Sequence, residues 1–147
     1  MKPVGYDELS HNLQKDIFRL ERRQRLFVNR RLAERGFSGI SYRYILTIHR
    51  HPGTNQDYLA EFYSVDKSRV ARVVRELELQ GYLDRKPDET NRRCQCLTLT
   101  AKGEVLWEAI YDTLSEWGKL VASDMPVEEL RLTTDTIERM IRNSDEF

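Results

Sequence analysis

The residues of this chain best suited to chemistry are arginines spaced along one face of a predicted helix, residues 66–80. On a wheel of about 100° per residue, Ser68, Arg72 and Arg75 fall together, with Arg69 on the flank. The opposite face is aliphatic and carries Val70, Val73, Val74 and Leu77. A planar guanidinium suits guanine O6 and N7 or a phosphate, and a serine hydroxyl can bond to either. The pattern predicts a helix that packs by one face and presents the other to nucleic acid.

The segment before this helix completes a helix-turn-helix pattern. Residues 54–63, TNQDYLAEFY, favour a short helix that Thr54 opens, with Asp57 at capping-box spacing. A brief turn then leads to Asp66, which we predict to be the N-cap of the 66–80 helix, and Gly81 ends that helix. Two helices joined by so short a turn are typical of the helix-turn-helix.

A β-hairpin is predicted immediately afterwards. The segment GYLDRKP is followed by a polar tip, DETNRR, and then by CQCLTLT, in which apolar and polar positions alternate with period two. Such a hairpin beside a helix-turn-helix is a wing, and its charged tip carries Arg92 and Arg93. The full set of predicted DNA-contacting residues is Thr54, Asn55, Gln56, Lys67, Ser68, Arg69, Arg72, Arg75, Arg92 and Arg93.

Longer helices are predicted on both sides of this region. Residues 8–35 have apolar side chains at helical spacing with Gly36 just beyond, and residues 41–50 follow with Ser41 as N-cap. A helix from 101 to about 122 has alternating 3/4 spacing, which predicts a seam of helix–helix association formed by Trp107, Ile110, Leu114, Trp117 and Val121. Pro126 starts a last helix. The predicted fold is therefore mainly α with a small β-wing.

Charge is distributed unevenly along a chain whose net charge is zero. Residues 15–50 carry a net +7 and residues 66–103 a net +3, whereas residues 104–147 carry a net −7. Zero net charge argues against a protein that coats nucleic acid indiscriminately, but a basic front can still face a polyanion. No apolar run approaches the roughly 20 residues that span a bilayer, and the N-terminus lacks a secretory signal. We expect a cytoplasmic protein with no membrane partner.

The sequence contains no residue pattern typical of an enzyme active site or a metal site. His49 and His51 are at i, i+2 and do not share a helix face, and no Gly-rich phosphate loop or nucleophile elbow is present. The helix at 101–122 has no histidine or cysteine for a metal, so we expect no enzyme, cofactor or metal. Cys94 and Cys96 read as ordinary strand residues of a reducing compartment, with a thiol sensor as the alternative.

From about residue 10 to 143 the chain resembles the MarR (multiple-antibiotic-resistance regulator) family of winged-helix regulators. The resemblance is strongest over residues 49–103. It rests on Leu59-Ala60-Glu61, Asp66-Lys67-Ser68, Arg72, Leu77, Gly81-Tyr82-Leu83, Arg93 and Leu99-Thr100-Ala101-Lys102-Gly103. Together these residues are specific, although none would be so alone.

The resemblance implies one MarR-type domain, 1–147, in which a winged helix-turn-helix lobe of about 36–103 joins dimerisation helices at about 8–35 and 104–143. Such proteins are intertwined homodimers that regulate transcription, in most cases as ligand-responsive repressors on inverted-repeat operators in double-stranded DNA. Ser68, Arg69 and Arg72 would then enter the major groove, and Arg93 would be the wing arginine. A winged-helix module for protein interaction, or a thiol- or metal-responsive regulator, remains the alternative.

Two residues depart from the family's pattern. Asn91 stands where an aspartate often holds the wing arginine, so Arg93 should be less firmly held. Ser64 stands where the turn usually has glycine, so a left-handed conformation there should be more costly.

The resemblance also implies a small effector, often an aromatic or phenolic acid, bound where the lobe meets the dimer helices. Arginines beside tyrosines would suit it, because a guanidinium pairs the anion while rings stack. The candidates are Arg19, Arg22, Arg23, Tyr42, Arg43 and Tyr44. The alternative is that these arginines form a solvated face or contact phosphates, and that the tyrosines belong to the core.

Overall fold

The computed structural model describes residues 5–145 and contains six helices and one hairpin within that range. The elements are α1 (Tyr6–Glu34), α2 (Tyr42–Arg50), α3 (Gln56–Tyr63), α4 (Lys67–Leu79), β1 (Leu83–Pro87), β2 (Gln95–Leu99), α5 (Ala101–Val121) and α6 (Val127–Ser144). The predicted mainly helical fold with a small β-wing is confirmed. None of the described helices is long and apolar enough to cross a membrane.

The chain divides into two compact units, and the division falls within α5, between Leu114 and Ser115. The first unit holds α1 to α4, the hairpin and the first two-thirds of α5. The second unit holds the end of α5 and α6, and no side chain of α6 is buried in it.

The core of the first unit fixes which face of α4 points outward. Val70, Val74 and Leu77 of α4 are buried and belong to a hydrophobic core that includes side chains from every other element of this unit. Each fully buried Val or Leu contributes about 1.5–3 kcal/mol to stability. Rotating α4 away from this contact would therefore cost several times the free energy that a surface ion pair contributes. The aliphatic face predicted from the sequence is therefore the packed face.

The start of α3 differs from the prediction. Its N-cap is Asn55, whose side-chain oxygen accepts a hydrogen bond from the amide of Tyr58 at 2.8 Å. Thr54 is instead buried, and its hydroxyl has no hydrogen-bond partner among the described residues. The carbonyl of Thr54 accepts from the amide of Leu97 at 2.7 Å, which ties this residue to β2. The prediction that Thr54 opens the helix is thus wrong, because pairing with the wing pulls that residue inward.

The turn between α3 and α4 contains a serine in the left-handed conformation. Ser64 has φ 50° and ψ 46°, and it is the only non-glycine residue with positive φ between residues 5 and 145. A left-handed conformation costs an L-residue about 1–2 kcal/mol. Asp66 is the N-cap of α4, as predicted, and accepts from the amide of Arg69 at 2.9 Å.

The two strands of the wing are antiparallel and pair in a register that runs from Leu83 opposite Leu99 to Pro87 opposite Gln95. Leu83 and Leu97 are buried, whereas β1 beyond Leu83 is exposed. The hairpin is therefore anchored at its base and extends outward toward its tip.

The first part of the predicted apolar seam of α5 packs within the chain itself. Ile110 is fully buried in the core of its own chain, and Trp107 stacks on His49 with ring centroids 3.8 Å apart. A 3/4 spacing marks any helix face that packs, and here the first part of that face packs within the chain. Val121, at the end of the predicted seam, is 37% exposed.

A glycine permits the close contact between α5 and the start of the wing. A Cβ added to Gly103 would overlap the carbonyl oxygen of Tyr82 and lie 3.2 Å from Cβ of Leu99. Thr100 bridges the same two segments, because its amide donates to Tyr82 O at 3.0 Å and its hydroxyl donates to Gly81 O at 2.6 Å. The backbone carbonyl of Tyr82 is thus held in place and cannot move aside.

We expect Gly103→Ala to destabilise the protein by about 1–3 kcal/mol through overpacking. This is the reverse of the gain of about 1 kcal/mol that alanine normally brings inside a helix. The matched control is Gly118→Ala in the same helix, where, apart from the adjoining residues and backbone of the helix itself, nothing in the described chain lies within 4 Å of the added Cβ. Urea unfolding at one protein concentration would contradict the packing argument if both variants gained stability.

Candidate nucleic-acid interface

The exposed face of α4 carries three guanidinium groups. The side chains of Arg69, Arg72 and Arg75 are exposed. Within residues 5–145, no hydrogen bond or ion pair engages these three guanidinium groups. Five N–H donors on each are therefore available to an external acceptor.

The first turn of α4 is tied down more firmly than the sequence suggested. The carboxylate of Asp66 accepts from the Ser68 hydroxyl and from the Arg69 amide, and these bonds lower the pKa of Asp66. Lys67 pairs with Asp57 of α3 at 2.8 Å, and this contact raises the pKa of Lys67. Ser68 and Lys67 lie on the predicted face, but each already has an internal partner. Both remain exposed, so Ser68 can still accept a hydrogen bond.

The start of α3 contributes less than predicted. The side chain of Thr54 is buried and its hydroxyl does not reach the surface, so the prediction that Thr54 contacts DNA through its side chain is wrong. The side-chain oxygen of Asn55 already accepts the capping hydrogen bond of α3. Gln56 faces Arg85 of β1, and with its amide oxygen turned toward that guanidinium it accepts from Nη1 and Nη2 at 2.9 Å.

An aspartate organises the tip of the wing. The Asp88 carboxylate accepts from the amide and hydroxyl of Thr90 at 2.8 and 2.7 Å and from the amide of Asn91 at 3.2 Å. Together with the Cys96 thiol, these donors lower the pKa of Asp88 to about 2, with the Thr90 hydroxyl contributing most. The tip should therefore keep its shape at any pH well above that value.

The two wing arginines lie at this tip and are exposed. Asn91 accepts from the backbone amide of Arg93 at 3.2 Å, not from its guanidinium. Within residues 5–145 no ion pair holds the guanidinium of Arg92 or Arg93. The described residues thus show Asn91 bonded to the backbone of Arg93 and not to its guanidinium, and the weaker hold on that side chain stays a prediction.

Sequence reasoning missed an ion pair between α4 and the wing. Arg85 donates through Nε and Nη2 to the two carboxylate oxygens of Glu78 at 2.6 and 2.8 Å. Beside it lies a groove of about 230 Å³ whose lining residues include Asn55, Gln56, Arg85, Arg93 and Cys94. The only sequence signal was an opposite charge seven residues away. Because Glu78 lies in a helix and Arg85 in a strand, neither helical nor strand periodicity predicts that the two side chains meet.

The wing cysteines are both free and half-buried. Desolvation and the neighbouring Asp88 carboxylate raise the pKa of the Cys96 thiol. A raised pKa keeps the thiol protonated and less nucleophilic, which weighs against Cys96 as a thiol sensor. Within residues 5–145 no three His, Cys, Asp or Glu side chains cluster so as to hold a metal ion.

The tyrosines of the predicted effector site belong to the core, which is the alternative interpretation given above. Tyr42 and Tyr44 are buried in the core, and Tyr44 stacks on Tyr63 with ring centroids 4.9 Å apart. Arg43 pairs with Glu21 of α1, and Arg19 pairs with Asp16. A groove of about 190 Å³ lies instead between α2 and α3, lined by Arg43, Leu46, Thr47, Arg50, His51, Phe62 and Tyr63.

These features define a class of protein. A short helix, a tight turn and a helix with an unpaired arginine face are followed by a hairpin with arginines at its tip. This arrangement is the winged helix-turn-helix of DNA-binding proteins.

Comparisons with known proteins agree with this class. The MarR family profile matches residues 40–95. The HTH-type transcriptional regulator BilQ of Clostridium symbiosum is 31% identical over 116 residues, which cover 78% of this chain and 80% of that protein. A crystal structure of MarR superposes with a TM-score of 0.80 at 31% identity and covers 91% of each chain. A MarR transcriptional regulator from Methanosarcina mazei Go1 superposes with a TM-score of 0.83 at 27% identity, covering 92% of this chain and 98% of that one.

The chain belongs to the MarR family of transcriptional regulators, which bind DNA and are not enzymes.

Proposed function

We propose that this protein is a ligand-responsive repressor that binds an inverted-repeat operator as a homodimer. The observation that carries the proposal is the row of three guanidinium groups on α4 that no side chain between residues 5 and 145 neutralises. The net charge of the protein is zero, and the basic groups of this row have no acidic partner among the described residues. This distribution favours a specific contact with DNA over a general affinity for polyanions.

We assign the recognition of the DNA sequence to α4. Its exposed face fits the major groove, where an arginine can bond to O6 and N7 of guanine with two parallel bonds. Arg72 lies at the middle of that face, with Ser68 one turn before it and Arg75 one turn after it. Arg92 and Arg93 extend from the wing, where they suit the negative potential of a flanking minor groove.

We expect Arg72→Ala and Arg93→Ala to have different effects. Arg72→Ala should cost about 1–3 kcal/mol in operator binding and relax discrimination at one symmetric base position. Arg93→Ala should weaken binding to many sequences alike, because a wing arginine contributes mainly charge and groove shape. Competition binding with single-base operator variants measures both effects.

The control for this pair is Arg30→Ala, which removes an exposed arginine of α1 that pairs with Glu34. It should leave both affinity and base preference nearly unchanged. If Arg72→Ala also left both unchanged, α4 would not be the reading helix.

Dimerisation is supported by apolar side chains that the chain itself leaves uncovered. In α1, Phe18, Leu20 and Leu26 are 67, 51 and 58% exposed. In α6, Leu132 and Ile141 are 67 and 57% exposed, and nothing on that helix is buried. Apolar surface of this extent on helices is typical of a protein–protein interface. We therefore assign α1 and α6 to contacts with a second copy.

We expect sedimentation at micromolar concentration to give a particle of twice the chain mass of 17.5 kDa. Ile137→Glu, which places a charge on the apolar face of α6, should shift the protein toward monomer. Asp135→Lys, on the opposite side of that helix, should not. A stable wild-type monomer under these conditions would contradict the dimer.

An effector site is proposed in the groove between α2 and α3. Arg50 and His51 supply positive or polar groups at the groove, and Phe62 and Tyr63 supply rings. Tyr63 is fixed there because its hydroxyl donates to Arg43 O at 2.8 Å and bonds to the Thr47 hydroxyl at 2.6 Å. This lining suits the carboxylate and ring of a small aromatic acid. Such a ligand changes DNA binding only if it binds one arrangement of the dimer better than another.

We expect millimolar salicylate or benzoate to weaken operator binding when ionic strength is held constant. Constant ionic strength is essential because added anion alone lowers affinity through counterion effects. Arg50→Ala should reduce the response, since it removes the guanidinium that would pair with the carboxylate. The effector proposal fails if equimolar chloride has the same effect as salicylate.

A further inference from the structure

Arg85 of β1 links three elements of the winged helix-turn-helix, namely the wing, α3 and α4. Its guanidinium bonds to both carboxylate oxygens of Glu78, in the last turns of α4, at 2.6 and 2.8 Å. With the Gln56 amide turned so that its oxygen faces this guanidinium, Gln56, the first residue of α3, accepts from Nη1 and Nη2 at 2.9 Å. One side chain of β1 is thus bonded at the same time to the start of α3 and to the end of α4.

The donors of Arg85 are largely used within the chain. Nε, Nη1 and Nη2 all take part in these bonds, and the side chains of Arg85 and Glu78 are only 32% and 26% exposed. Hydrogen bonding to Glu78 also raises the pKa of Arg85. An arginine held this way differs from Arg69, Arg72 and Arg75, whose guanidinium groups have no partner between residues 5 and 145.

The position of Arg85 along the hairpin allows its contacts with Glu78 and Gln56 to influence the orientation of the wing tip. Buried Leu83 and Leu97 and the bond from Leu97 to Thr54 hold the base of the wing. Arg85 lies two residues beyond Leu83 and directly opposite Leu97, at the outer limit of this buried base, and β1 is exposed from Asp84 onward. The tip begins three residues beyond Arg85, about 10 Å away along an extended strand. A small change of angle at Arg85 is therefore amplified at Arg92 and Arg93.

We propose that Arg85 is a positioning residue for DNA binding, which sets the distance between the arginines of α4 and the arginines of the wing. This inference rests on the proposed operator binding. Through Glu78 and Gln56, Arg85 holds the wing at the angle at which the two sets of arginines engage neighbouring grooves together. It contacts no DNA itself.

Two substitutions of opposite charge separate positioning from simple electrostatics. Arg85→Met removes a positive charge, and Glu78→Gln removes a negative one while keeping the side chain's size. If only charge mattered, Arg85→Met would weaken DNA binding and Glu78→Gln would strengthen it. If Arg85 acts by positioning, both should weaken operator binding by about tenfold, within the range measured for residues of one ion-pair network.

Footprinting reports which contact is lost. With saturating protein, guanine N7 protection from dimethyl sulfate reports α4 in the major groove. Hydroxyl-radical protection of the flanking sugars reports the wing. In both variants we expect the N7 protection to remain and the flanking protection to fade. A residue with a merely structural role would lose both together.

The matched controls are Lys86→Met, on the neighbouring exposed position of β1, and Glu76→Gln, an exposed carboxylate of α4. Lys86→Met should keep the flanking protection, and Glu76→Gln should bind as tightly as wild type or more so. Circular dichroism and melting establish that each variant is folded. If Arg85→Met does not fold, Glu78→Gln decides the question alone, because it is close to isosteric.

The inference is overturned if folded Glu78→Gln binds as tightly as Glu76→Gln and keeps its flanking protection. A wild-type protein that protects no fragment would overturn the proposed function, and this inference with it. The two failures are therefore distinguishable by the wild-type footprint.

Discussion

The burial of Val70, Val74 and Leu77 is the contact on which the rest of the interface depends. These side chains hold one face of α4 in the core and leave the opposite face, with its arginines, in solvent. Fully burying an aliphatic side chain contributes about 1.5–3 kcal/mol, whereas an exposed ion pair contributes about 0–1 kcal/mol. Apolar packing therefore orients the helix, and the arginines need no partner inside the chain to stay where they are.

Charge pairing then decides which cations remain available. The chain has 24 basic and 24 acidic side chains, so its net charge conveys little about its partners. Many of the cations are neutralised locally, as Arg43 is by Glu21 and Lys67 is by Asp57. The guanidinium groups of Arg69, Arg72, Arg75, Arg92 and Arg93 are not paired within residues 5–145. A polyanion thus meets a concentrated positive surface on a neutral protein, and salt should weaken that contact steeply.

Features set by local periodicity could be predicted from the sequence. The aliphatic and basic faces of α4, the Asp66 cap and the hairpin follow from side-chain spacing, and the structure confirms them. The cost at Ser64 was also foreseeable, since a tight turn there needs a left-handed residue.

Features set by distant contacts could not be predicted. Thr54 has the right side chain for a cap, but its carbonyl pairs with Leu97, and Asn55 takes the role instead. The stripe on α5 predicts a seam of helix–helix association, and its Ile110 packs in the core of its own chain. Helical spacing indicates that a face is buried but does not identify the surface that packs against it. The contact of Arg85 with Glu78 and Gln56 joins residues 7 and 29 positions apart, and only the folded chain brings them together.

The most direct test of the account is to sequence the DNA that the purified protein selects from a random pool. The account predicts enrichment of an inverted repeat whose half-site centres lie about one helical turn apart, with guanines at symmetric positions in each half. It also predicts that flanking positions are preferred by groove width more than by base identity. A pool that shows no enriched sequence after repeated selection, or only single unrepeated sites, would contradict it.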